Sequence, residues 1–221
     1  MPDLSNTSLI SVGGWTLRVR ESMHPSPRLM LLIHGLTGDE NSMWVFARDL
    51  ASQYWMVAPR APHPTGLPEQ GYSWRPLQFD SLNQVGLDLL GSTADGLLHL
   101  VDEYSAAAGF EAGTFDVMGF SQGGAVASVL AFLHPERIRK AGILAGFVPR
   151  GLESLVPERP LQGKPFFVAH GTQDEMVSID RARASIDILE QAGAQVTYCE
   201  DNVGHKVSIT CLRALKKFFS D

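Results

Sequence analysis

Short apolar runs without polar interruptions recur along this chain. LMLLI at 29–33 is one, and WMVA at 55–58 and PFFVA at 165–169 are two more. A strand that is apolar at every position has both faces buried, which is typical of a parallel sheet covered by helices on both sides. Segments with helical patterns separate these runs. The sequence therefore predicts an α/β fold with a mostly parallel central sheet.

The predicted strands and helices alternate over most of the chain. The strands are predicted at 15–22, 28–35, 55–59, 114–120, 138–146, 164–171 and 194–200, and the helices at 43–53, 82–108, 122–134, 178–192 and 206–219. Two stretches rich in Pro and Gly, 60–80 and 146–164, each follow a predicted strand. Open α/β sheets bind ligands at that end of their strands, so we interpret both stretches as pocket walls. A length of 221 residues favours one domain over residues 1–221.

Composition and charge disfavour several classes of partner. The net charge is −6, and LRALKKFF at 212–219 is the one basic run, so nucleic acid is a poor candidate. The first residues lack the pattern of a secretory signal, and no stretch approaches the roughly 18 apolar residues of a membrane span. We therefore expect no stable membrane insertion and a cytoplasmic location. Cys199 and Cys211 are expected to be free, mostly buried thiols, and no cysteine or histidine spacing indicates a metal.

The stretch FDVMGFSQGG at 115–124 places a serine between two glycines, after a predicted strand and before a predicted helix. The Gly-x-Ser-x-Gly pattern alone is a weak signal in a chain with 21 glycines, so the interpretation depends on this context. A tight strand-to-helix turn lifts the Ser121 hydroxyl clear of the sheet. Gly119 and Gly123 leave space where side chains would collide across the turn. Ser121 is therefore predicted to be an exposed nucleophile.

A serine nucleophile needs a base to accept its proton. His205 is the predicted base because it lies in a short loop between the last strand and the last helix, at the sheet edge expected for Ser121. His34 and His170 each end a buried strand. Their imidazoles are expected to form hydrogen bonds with neighbouring loop backbone rather than to transfer protons.

The base in turn needs an acid that fixes its tautomer. Asp174 is the predicted acid, since it follows the end of a predicted strand at the same sheet edge. Asp201 is the alternative, because it is close to His205 in sequence. The chain order Ser121, Asp174, His205 is the order found in α/β-hydrolases.

Acyl transfer also needs donors for the oxygen that becomes negative in the tetrahedral intermediate. The backbone N–H of Gln122 is one candidate, because it follows the nucleophile at a helix N-terminus. The second candidate is the N–H of Leu36, since the flanking glycines of HGLTG let that loop curl toward Ser121.

Four segments together resemble the phospholipase/carboxylesterase family of serine hydrolases, which includes the acyl-protein thioesterases. They are HGLTGDE at 34–40, GFSQGG at 119–124, HGTQDEMV at 170–177 and GH at 204–205, and they follow the family's order. The resemblance implies an α/β-hydrolase fold and a triad of Ser121, Asp174 and His205. It also implies that no metal or organic cofactor is used, and that Met176 forms a wall of the acyl pocket.

The loop GYSWRPLQFD at 71–80 departs from the better-known eukaryotic thioesterases of that family. Trp74 and Phe79 in this loop are candidate pocket residues, because each offers a large apolar surface. Phe147 and Val148 are candidates for the same reason.

These patterns predict a serine carboxylesterase that cleaves esters of small or medium acyl chains through an acyl-enzyme intermediate. Its partner is a small-molecule ester or thioester, and the protein is expected to be a monomer or homodimer. One alternative is a thioesterase acting on acyl-protein or acyl-CoA, or a lysophospholipase, with the same catalytic residues. An alternative of another class is a catalytically silent hydrolase fold that serves as a receptor or interaction module.

Overall fold

The computed structural model describes residues 4–47, 50–66, 71–77, 85–110 and 112–220. Ten strands lie within these ranges: β1 Ser8–Val12, β2 Trp15–Arg20, β3 Arg28–Ile33, β4 Tyr54–Pro59, β5 His63–Pro64, β6 Tyr72–Ser73, β7 Phe115–Phe120, β8 Ile138–Leu144, β9 Pro165–Gly171 and β10 Gln195–Asp201. The α-helices are α1 Trp44–Ala47, α2 Leu87–Ala107, α3 Gln122–Leu133, α4 Ile179–Gln191 and α5 Ile209–Ser220.

Eight of these strands form the central sheet, in the order β1-β2-β4-β3-β7-β8-β9-β10. The neighbours from β4 to β10 are parallel, whereas β1 pairs with β2 and β2 pairs with β4 in antiparallel fashion. The predicted mostly parallel α/β sheet is confirmed. Because β3, β7, β8, β9 and β10 run in one direction, the loops that follow them lie along one edge of the sheet.

Apolar side chains are buried on both faces of the sheet, as the unbroken strand patterns predict. One cluster joins alternate residues of β3 and β7 to α2, α3 and α4. The second cluster, on the opposite face, includes Trp44, Leu215 and Phe219, from α1 and α5. Helix α3 is buried along nearly its whole length, because it crosses the middle of the sheet directly behind the turn at Ser121.

The N-terminal hairpin and the first helix differ from the prediction. Strand β1 was not predicted, and it forms a hairpin with β2 through Gly13 and Gly14, both of which have positive φ. The Gly-Gly pair between two short alternating segments is the signal that identifies such a hairpin. Of the helix predicted at 43–53, the structure has α1 at Trp44–Ala47; 48–49 lie outside the described residues, and 50–53 are not helical.

The two stretches interpreted as pocket walls have short ordered elements. Strands β5 and β6 pair within 60–80, and a 3-10 helix at Leu152–Glu158 lies within 146–164. Part of the first stretch, including Phe79, lies outside the described residues.

The prediction of free thiols is wrong, because Cys199 and Cys211 form a disulfide. The chain reverses direction between β10 and α5, which brings the two Cα atoms to 5.7 Å from each other across a sequence separation of 12 residues. Sequence spacing alone does not reveal that reversal. Disulfides are rare in the reducing cytoplasm, so this link weighs against the predicted cytoplasmic location.

Replacing both cysteines is expected to lower the free energy of unfolding by about 3 kcal/mol, because the disulfide closes a short loop and restricts the unfolded chain. Urea unfolding of the wild type and of a Cys199→Ala/Cys211→Ala variant measures this difference. Dithiothreitol should destabilise the wild type by a similar amount and leave the variant unaffected. Two reactive thiols in denatured, unreduced wild-type protein would show that the disulfide does not form.

No helix within the described ranges is both long enough and apolar enough to cross a membrane.

Candidate active site

The turn between β7 and α3 holds Ser121 in a strained conformation. Its backbone has φ 52° and ψ −115°, and positive φ is uncommon for residues with a side chain. The flanking glycines are required by close backbone contacts. A Cβ atom built on Gly119 would lie 2.0 Å from the carbonyl oxygen of Gly123, and one built on Gly123 would lie 2.1 Å from the carbonyl oxygen of Ile33. Any larger residue at either position would force the turn apart.

The structure brings Ser121, His205 and Asp174 together from three different loops. The Oγ atom of Ser121 lies 2.9 Å from Nε2 of His205. On the other side of the ring, Nδ1 lies 2.7 Å from Oδ2 of Asp174. With the proton on Nδ1, the imidazole donates to the carboxylate and accepts from the serine hydroxyl. The ring of Phe120 packs against the imidazole at a centroid distance of 5.1 Å.

The carboxylate of Asp174 is fixed by partners on both oxygens. Its side chain has 0% exposure, and Oδ1 accepts hydrogen bonds from the backbone N–H groups of Met176 and Val177, each at 2.9 Å. Oδ2 faces His205 and also lies 3.3 Å from Nε2 of His170. Sequence reasoning did not identify this contact of His170, although the residue stands four positions before Asp174 at the end of β9.

The alternative acid, Asp201, is engaged at the start of α5. Hydrogen bonds from the Ser208 side chain, the Asn202 N–H and the Thr210 side chain lower the pKa of the Asp201 carboxyl. The carboxylate thus binds the turn that leads into α5, whereas Asp174 makes the contact with His205.

The loop that contains Leu36 lies directly beside the nucleophile. A Cβ atom built on Gly35 would lie 3.3 Å from Cβ of Ser121. The neighbouring Thr37 donates its N–H to the carbonyl oxygen of Tyr72 at 3.1 Å, which ties the loop to β6. Among the residues that the structure describes, none accepts a hydrogen bond from the N–H of Leu36 or of Gln122. Both donors are therefore available to an oxygen of a ligand.

His34 stabilises the loop that contains Leu36. Its Nε2 accepts a hydrogen bond from the N–H of Ala61 at 3.0 Å, and Nδ1 donates to the carbonyl oxygen of Gly35 at 2.7 Å. Burial lowers the pKa of His34, which favours the neutral ring that these two bonds require. His170 similarly bonds the carbonyl oxygen of Val177 at 2.8 Å. Both histidines contact loop backbone, as the sequence predicts.

The structure places Trp74 in the core and not on a pocket wall. The side chain has 0% exposure, and its indole N–H donates to the carbonyl oxygen of His34 at 2.7 Å. Its backbone N–H donates to Oε1 of Gln122 at 3.0 Å. The indole is buried because 71–74 folds inward to hold both the Leu36 loop and the residue after the nucleophile. The prediction of Trp74 as a pocket residue is therefore wrong, and its contacts indicate a supporting role.

The remaining predicted pocket residues differ in their exposure. Phe147 is 5% exposed and Val148 is 6% exposed, in the segment that follows β8. Met176 is 72% exposed, two residues after Asp174. Phe79 lies outside the described residues.

The sequence matches the model of one protein family. A sequence model described as Phospholipase/Carboxylesterase matches residues 16–221. Carboxylesterase SOBER1 of Arabidopsis thaliana is 28% identical over 114 residues, which cover 50% of this chain and 50% of that protein. The chain thus spans about half the length of the first curated relatives that it matches. A probable inactive carboxylesterase of Oryza sativa subsp. japonica is 26% identical over 84% of this chain and 81% of that protein.

Solved structures share the fold. The crystal structure of the Bacillus cereus carboxylesterase superposes with a TM-score of 0.78 at 21% identity, covering 94% of each chain. At this identity the likeness concerns the fold, which is that of the α/β-hydrolases.

Proposed function

The chain belongs to the phospholipase/carboxylesterase family, and on that premise we propose that it is a serine carboxylesterase with Ser121 as nucleophile, His205 as base and Asp174 as acid. The observation that supports this proposal most directly is the continuous contact from Ser121 Oγ through the His205 ring to Asp174, with distances of 2.9 and 2.7 Å. Three residues from distant parts of the sequence meet in the geometry that nucleophilic catalysis by serine requires.

In the proposed reaction, the Ser121 oxygen attacks the carbonyl carbon of an ester while Nε2 of His205 takes the hydroxyl proton. The tetrahedral intermediate collapses, the bond to the alcohol oxygen breaks, and His205 returns the proton to that oxygen. A water molecule then attacks the acyl-enzyme, again through His205, and releases the carboxylic acid. Asp174 keeps the proton on Nδ1 between these steps and stabilises the imidazolium.

The intermediate's negative oxygen needs donors that are in place before the attack. The N–H groups of Leu36 and Gln122 suit this role, because they flank Ser121 and have no acceptor among the described residues. The side chain of Gln122 bonds Trp74, and Thr37 bonds Tyr72, so both donors are held by the same segment. Each such donor is typically worth roughly 3 kcal/mol of the activation barrier.

A silent hydrolase fold is the alternative that the rice relative's name raises. Loss of function in such a fold usually removes a reacting group, and here the nucleophile, base and acid are all present and in contact. The strained backbone at Ser121 also supports an active site, since strain of this kind costs free energy and is concentrated at functional sites. We therefore favour the enzyme.

We infer a preference for small and medium acyl chains over long ones. Of the candidate pocket aromatics that the structure describes, Trp74 and Phe147 are buried, so neither offers much ring surface to a long acyl chain.

Purified protein is expected to hydrolyse p-nitrophenyl butyrate and to react with a fluorophosphonate probe. The kcat/KM for the butyrate ester should exceed that for the palmitate ester by about tenfold or more. A butyryl thioester measured beside the butyrate ester separates an esterase from a thioesterase. Absence of both turnover and probe labelling would favour the silent fold and overturn the proposal.

A further inference from the structure

Two arginines that the proposed mechanism does not use line one cleft. Arg150 belongs to the segment that follows β8, and Arg181 lies in the first turn of α4. Both line a cleft of about 320 Å³ between that segment and α4, together with Val148 and Ser185. Arg150 is exposed and Arg181 is half-buried.

The guanidinium group of Arg181 is held in a fixed orientation. Its Cζ atom lies 3.5 Å from the centroid of the Phe147 ring, on which the planar group stacks. Phe147 is itself buried, so the ring is a rigid support. Stacking occupies the face of the guanidinium and leaves its N–H edge free for a planar anion.

The segment 146–148 joins the turn at Ser121 to a wall of the cleft. A Cβ atom built on Gly146 would lie 3.1 Å from the carbonyl oxygen of Ser121, and Phe147 is the next residue. The following N–H, that of Val148, donates to Oγ of Ser185 in α4 at 2.9 Å. The segment thus runs from the turn at Ser121 directly to the cleft.

The charges in the cleft favour an anion. Burial, and then the positive charge of Arg150, lower the pKa of Arg181. No carboxylate of the residues that the structure describes forms an ion pair with Arg150 or Arg181. Glu153 lines the same cleft, and its carboxylate accepts the N–H of Gly151 at 2.6 Å. Arg183 lies two residues after Arg181 on α4 and forms an ion pair with Glu200, with 3.1 Å between Nη2 and Oε2.

We propose that Arg150 and Arg181 form a subsite for a carboxylate group of the ester substrate. Two neighbouring guanidinium groups bind one carboxylate through charge-assisted hydrogen bonds, and the anion relieves the repulsion between them. The inference rests on the proposed function of Ser121. The inferred substrate is an ester that also carries a free carboxylate, separated from the ester bond that is cleaved.

The test compares esters that differ only in the charge of their far end. Monomethyl adipate and methyl hexanoate have acyl chains of equal length, and only the first ends in a carboxylate. The wild type is expected to favour monomethyl adipate in kcat/KM by about tenfold, and Arg150→Gln and Arg181→Gln should each lower this ratio by about tenfold. Arg183→Gln, on the same helix, should leave the ratio unchanged. A general loss of folded enzyme lowers both rates equally, so the ratio isolates the subsite.

A second pair of substrates distinguishes which part of the ester carries the carboxylate. 4-Acetoxybutanoate and butyl acetate differ in charge on the alcohol side. A preference that depends on Arg150 and Arg181 in either pair supports the subsite and identifies the side that it binds. Equal or lower kcat/KM for the charged ester in both pairs, unchanged by either substitution, overturns it. Failure to hydrolyse the neutral esters would instead contradict the proposed function.

Discussion

Ser121→Ala is expected to reduce kcat for p-nitrophenyl butyrate by at least about 10⁴-fold, because the variant has no oxygen that can form the acyl-enzyme. Fluorophosphonate labelling should disappear in the same protein. The fold should persist, since Ser121 Oγ contacts His205 at the surface of the site and makes no bond on which the turn depends. Steady-state kinetics, with circular dichroism as a check of folding, measure both effects.

Ser92→Ala is the matched control, because Ser92 is an exposed serine on α2. It should have wild-type kinetics. If Ser121→Ala instead retained turnover close to that of the wild type, the nucleophile would be another residue.

Asp174→Asn is expected to lower kcat by about 10³ to 10⁴-fold. The reason lies in the backbone donors at Oδ1. The N–H groups of Met176 and Val177 both need an acceptor, so the asparagine oxygen should face them and its NH₂ group should face His205. An NH₂ group at that position pairs with an unprotonated Nδ1. The proton then sits on Nε2, where the ring cannot accept the proton of Ser121.

Asp201→Asn separates the two candidate acids. Asp201 binds the turn that leads into α5, so its substitution should change kcat far less than Asp174→Asn does. Kinetics of both variants on the same ester decide between the residues. A larger loss of kcat in Asp201→Asn than in Asp174→Asn would show that Asp201 is the acid.

The fold was largely predictable from local patterns. Runs such as 29–33 and 165–169 are apolar at every position, and a strand covered on both faces buries nearly all of their side chains. Strand β1 was missed because it lies at an exposed edge of the sheet, where its side chains are only partly buried and the apolar signal is weak. The helix predicted at 43–53 extended too far, because 50–53 do not form a helix although their composition allows one.

Predictions for individual side chains were correct where neighbouring residues determine the side chain's position, and wrong where distant parts of the chain determine it. Gly119 and Gly123 were identified because a tight turn imposes its own requirements on neighbouring residues. The burial of Trp74 was not foreseen, because an aromatic residue in a Pro-rich loop has the same sequence signature whether it faces a ligand or the core. The disulfide of Cys199 was missed for a related reason, since its partner is selected by the path of the chain.

The sequence by itself determined the strands, the covered sheet and the turn at Ser121, because each follows from backbone sterics and the burial of neighbouring residues. Only the tertiary structure decided that Asp174, rather than Asp201, contacts His205, and that Arg150 lies beside Arg181. The order of parallel strands in the sheet sets which loops meet at its edge. That order is a property of long-range packing, to which no short stretch of sequence is sensitive.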